Sequence, residues 1–76
     1  MASIMEKDVL LEMVATAIAF ISTRTNGTHP KRKEMLELRD YFYRTDHEDI
    51  DLLENVAKIK PIIDELENKP YILGRR

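Results

Sequence analysis

A chain of 76 residues with no cysteine and a net charge of −2 sits near the lower limit for independent folding. It has neither a disulfide nor a thiolate metal site to hold it together. The charge-free stretch from Met13 to Thr23 spans about 16 Å as a helix, half of a bilayer core, which excludes a membrane span. Glu6, Asp8 and Glu12 interrupt any apolar leader, so a cytoplasmic location without membrane association is the expectation.

The elements predicted from the pattern are all helical. Ser3-Ile4-Met5-Glu6 reads as a capping box, in which the serine hydroxyl accepts from a free helical N–H and the glutamate reaches back to the serine N–H. The first helix is predicted over 3–23, and Asn26-Gly27 supplies residues that tolerate the left-handed turn after it. A second helix is predicted over 30–44, with Pro30 in its first turn and Met35, Leu38 and Phe42 at helical spacing. Thr45-Asp46-His47-Glu48 reads as a second capping box, opening a third helix over 46–68. Its apolar stripe is Leu52, Val56, Ile59, Ile63 and Leu66. Pro61 interrupts this helix at a cost of about 3 kcal/mol. The stripe keeps its phase across the proline, which favours one kinked helix over two. A short extended tail follows Pro70. The fold class is therefore all-α: one compact three-helix domain spanning 1–76, with no repeat, linker or strand pair.

The first helix is unusual. Placing its residues 100° apart confines Asp8, Glu12, Thr16, Ala19 and Thr23 to a narrow wedge and leaves an apolar arc of about 240°, twice that of an ordinary surface helix. Either both other helices and the C-terminal tail cover this arc, or part of it meets a second copy or a partner. Large exposed apolar surfaces mark interaction sites, so Val9, Leu11, Met13, Ala15, Ile18 and Phe20 form the candidate self-association or partner face. The small alanines allow close approach but are equally good helix formers.

Charge is distributed unevenly. Residues 22–45 carry six cations against three carboxylates, and residues 46–67 carry two cations against eight carboxylates. Arg24, His29, Lys31, Arg32 and Lys33 gather near a helix start, where they oppose the dipole. They form a candidate patch for an anion or an acidic partner, against the simpler reading of a solvated basic turn complemented by the acidic third helix. A helix-turn-helix reader of DNA would use Lys31, Arg32 and Lys33, but the chain as a whole is acidic. Tyr41 and Tyr43, flanking Phe42, and Tyr71 in the tail are candidate aromatic anchors.

No catalytic residue, cofactor site or metal site is expected. Asp46, His47, Glu48, Asp49 and Asp51 lack the glycine of a calcium loop and the several His or Cys ligands of a zinc site, so helix capping explains them better. The sequence therefore points to a small non-enzymatic protein-binding module. It would act as a regulator or inhibitor, in the manner of small bacterial or phage accessory proteins, as a homodimer through the first helix. DNA binding through the second helix is the alternative.

Overall fold

The computed structural model describes residues 2–69 and shows three helices packed into a compact all-α domain, with no strand among the described residues. Helix α1 (Ile4–Arg24) begins at the anticipated capping box. Ser3 Oγ accepts from the Glu6 N–H at 3.1 Å, and the Ser3 N–H donates to Glu6 Oε1 at 2.8 Å. The helix ends where Asn26 (φ 56°) and Gly27 (φ 78°) both turn left-handed, a conformation that asparagine tolerates and glycine adopts freely. The Gly27 N–H closes back on the Ile21 carbonyl at 3.1 Å.

Helix α2 (Arg32–Arg44) starts two residues later than the sequence pattern places it. Pro30 lies in the turn before it, and the Lys31 N–H is bonded from outside the helix, to His29 Nδ1 at 3.0 Å. The helix ends at Arg44, as anticipated.

The larger correction concerns α3 (Leu52–Leu66), which begins six residues beyond the predicted start and ends two before the predicted end. The Thr45–Glu48 capping box does not form. Instead His47–Asp49 makes a 3-10 turn, followed by Ile50 in extended conformation and almost fully buried. A continuous helix from residue 46 would forgo that arrangement, which seats Ile50 in the core while His47 ties down the N-terminus. The cap of α3 is Asp51, whose carboxylate accepts from the Glu54 N–H at 2.9 Å. Glu67 and Asn68 form a turn after the helix.

Pro61 lies inside α3, and the helix runs through it as one element. A proline at position 61 deprives the Ala57 carbonyl of its usual partner. Ala57 and Pro61 are both exposed, so that carbonyl lies on the solvent side of the helix, where water can satisfy it.

Helix α2 runs antiparallel to α1, and α3 returns parallel to it. Contacts at both ends show this. Ala2 and His47 meet at one end, where the Ala2 N–H donates to the His47 carbonyl and the His47 ring bonds the Ala2 carbonyl at 2.9 Å. At the other end the Arg24 Nε–H donates to the Lys69 carbonyl at 2.9 Å. The core line of α1 is Leu10, Val14, Ala17 and Ile21, joined by Met35, Leu38 and Phe42 from α2, by Ile50, and by Ile59, Ile62 and Leu66 from α3. The centre of α3 is thus Asn55, Ile59, Ile62 and Leu66, one step round from the predicted stripe. Leu52, Val56 and Ile63 flank it, half-buried. Helix α1 packs along both α2 and α3, while those two barely approach one another. This central position accounts for much of its wide apolar arc.

No described helix is long and apolar enough to cross a membrane.

Candidate functional site

The six residues of the anticipated face on α1 do not share one surface. At 100° per residue, Leu11, Ala15 and Ile18 fall on one side of the buried line, and Val9, Met13 and Phe20 on the other. Two contacts orient these sides. The Lys7 Nζ donates to the Thr45 carbonyl at 2.7 Å, at the end of α2, and Arg24 reaches Lys69 beyond α3. Leu11 and Ile18 therefore flank α2, whereas Met13 and Phe20 flank α3. All four are half-buried against the core.

The α3 side carries the larger uncovered apolar surface. Met5 is 77% exposed, Val9 51% and Leu53 78%. Met5, Val9, Met13 and Phe20 form a line on α1 at spacings of four, four and seven. On the same side of α3, Leu52, Val56 and Ile63 extend the surface, with Leu53 at its edge. On the α2 side, Ile4 and Tyr43 are the large exposed apolar groups. Leu53 and Met5 were not singled out by the α1 arc alone. Both lie far round their helices from the buried lines, Met5 from Leu10, Val14, Ala17 and Ile21, and Leu53 from Asn55, Ile59, Ile62 and Leu66.

The structure divides the basic patch. Arg24 lies over the Phe20 ring, 4.0 Å from its centroid, and bonds Lys69. The His29 side chain is 7% exposed, with Nε2 3.1 Å from Glu65 Oε1 on α3. The Lys31 N–H can only donate, so His29 Nδ1 accepts, and the ring's proton sits on Nε2, donated to Glu65. Lys31 pairs with Glu34 at 3.3 Å. Arg32 and Lys33 are exposed at the start of α2. The basic turn thus touches the third helix through the His29 ring and Glu65, while Lys31 pairs with Glu34 of α2.

Tyr41 and Tyr43 point to different sides of α2. Tyr43 is the more exposed. The Tyr41 hydroxyl lies 3.4 Å from the Asp49 carbonyl and its ring packs obliquely on Phe42. Tyr71 and the tail after Pro70 lie outside the described residues.

Between α2 and α3 runs a groove with two hollows. The larger, about 550 Å³, is lined by residues that include His29, Pro30, Glu34, Ala57, Pro61 and Ile62. The smaller, about 230 Å³, is lined by Leu38, Tyr41, Asp49, Asp51, Glu54 and Asn55, and Lys58 borders both. No group of His, Cys, Asp and Glu among the described residues is arranged to hold a metal ion.

No known protein family matches this chain, and no solved structure matches it. Over 53 residues, 70% of its length, the chain is 40% identical to TBC1 domain family member 4 of Mus musculus. It spans only 4% of that protein, so the likeness concerns a short segment and carries no activity across.

Proposed function

We propose that this chain is a non-enzymatic protein-binding module that self-associates through the outer face of α1 and α3. The observation that carries the reading is the apolar surface of Met5, Val9 and Leu53, each more than half exposed, continuous in helical spacing with half-buried Met13, Phe20, Leu52, Val56 and Ile63. Exposed apolar surface of this kind is a cost that burial removes. A second copy is the simplest occupant. A twofold interface is isologous, so one patch suffices for both sides. Two adjacent parallel helices present a surface about 30 Å long and 20 Å wide. That is about 600 Å² per copy, at the low end for stable interfaces, so a weak, concentration-dependent dimer follows.

Light scattering between about 1 and 500 µM protein tests this. The mass should rise towards that of two chains, and Met5→Glu with Val9→Glu should hold it at one. Both substitutions lie on exposed positions, so circular dichroism should show the helices intact. A single-chain mass across the whole range would overturn self-association.

A further inference from the structure

We infer that the groove between α2 and α3 is a second docking surface, for a peptide segment of a partner protein that carries an apolar anchor and, about four residues away, an arginine or lysine. It is distinct from the self-association face. Glu54, Lys58, Pro61 and Glu65 line the groove, whereas Leu52, Val56 and Ile63 lie on another side of α3.

The groove exists because α2 and α3 each pack on α1 rather than closely on each other. Its two ends differ in chemistry. At the His29 end, Pro30, Ala57, Pro61 and Ile62 give apolar walls, and the carboxylates are already engaged: Glu34 pairs with Lys31, and Glu65 accepts from the His29 ring. This hollow, about 550 Å³, falls within the range of small ligand sites and takes one or two aliphatic side chains.

At the other end the charge does not balance. Asp49, Asp51 and Glu54 face a single cation, Lys58, whose Nζ stands 4.0 Å from Glu54 Oε1. Tyr41 lines the same hollow. An aromatic ring beside carboxylates suits a guanidinium or ammonium, which gains from both the ring face and the negative charges.

Spacing follows from the helix. Ile62 and Glu54 are eight residues apart on α3, about 12 Å along its axis. An extended peptide covers that distance in about four residues. The segment that fits therefore carries its apolar anchor about four residues from its cation.

The test titrates the full chain, labelled with ¹⁵N, with the synthetic peptide Ac-GLLGSGRRG-NH2. Amide shifts should move at His29, Lys58 and Ile62 and around Glu54, and the response should weaken as salt is raised. The counterpart Ac-GLLGSGEEG-NH2 should bind at least tenfold more weakly. So should the arginine peptide towards Glu54→Lys, an exposed position whose change leaves the Asp51 cap in place. Equal responses to the two peptides, shifts centred on Met5 and Val9, or no shifts at all would each overturn the inference. Light scattering on the same samples reports self-association separately, so failure of one surface is not mistaken for failure of the other.

Discussion

At the residue scale, three capping sites carry testable energy differences. Ser3 and Asp51 each accept from a first-turn N–H, whereas no side-chain hydrogen bond is formed by the Thr45 hydroxyl at its anticipated cap position. Replacing a working cap by alanine costs about 1 kcal/mol. Chemical denaturation should therefore show Ser3→Ala and Asp51→Ala each destabilised by about 1 kcal/mol, with Thr45→Ala within about 0.5 kcal/mol of the parent. An equal loss at Thr45 would mean that the third helix starts where the sequence motif alone places it. Two signatures compete there, Thr45–Glu48 and Asp51–Glu54. Local spacing cannot choose between them. The choice belongs to Ile50, which reaches the core only if the chain stays extended beside it, and to His47, whose ring Nδ1–H must donate to the Ala2 carbonyl 45 residues away. Both are long-range facts. The first capping box, with no rival nearby, is legible from the sequence alone.

His29 makes a second residue-scale prediction. Its ring is held on both sides, accepting at Nδ1 from the Lys31 N–H and donating at Nε2 to Glu65. Nitrogen chemical shifts at neutral pH should report the Nε2–H tautomer in the parent and keep it in Glu65→Gln, because the Lys31 N–H still requires Nδ1 to accept and the glutamine amide can turn its oxygen to Nε2–H. An Nδ1–H tautomer in the parent would contradict the Lys31 bond. The sequence reading placed His29 in a cationic patch because it counted charge along the chain. Glu65 lies 36 residues on, and only the return of α3 beside the basic turn brings the two together.

At the scale of elements, α3 is the informative case. Its period was readable, and the helix passes through Pro61 as one element. Its phase was not. Five aliphatic residues mark a stripe, but the helix buries Asn55 in place of Leu52 at its first turn, where Asn55 Nδ2 donates to the Asp51 carbonyl at 2.6 Å. An apolar count cannot foresee a buried asparagine that is satisfied within its own cap. Pro61 is tolerated because the missing bond faces the groove. Pro61→Ala should restore it and stabilise the protein by about 1 to 2 kcal/mol, the roughly 3 kcal/mol helix penalty of proline being offset in part by the stiffness it gives the unfolded chain. A thermal melt that fell instead would show that the proline packs favourably in the groove.

At the scale of the whole molecule, the wide apolar arc of α1 has two causes that the sequence could not separate. One is central placement: the helix has α2 on one side and α3 on the other. The other is surface left over beyond α3. The half-buried positions Leu11, Ile18, Met13 and Phe20 belong to the first, and Met5 and Val9 to the second. Total stability makes the leftover measurable. A chain this small has roughly 4 to 11 kcal/mol in hand, and each kcal/mol moves its melting point by about 4 to 8 °C. Association that favours only the folded form adds to stability as concentration rises above the dissociation constant. Raising the protein from about 10 to 500 µM should therefore lift the melting temperature by several degrees. Met5→Glu with Val9→Glu should melt at one temperature throughout. Leu11→Ala, on the α2 side, should lower the melting point at every concentration yet keep its rise, because it removes core contact without touching the outer face. A parent whose melting point ignored concentration would leave central placement as the whole explanation of α1, with Met5, Val9 and Leu53 as tolerated surface.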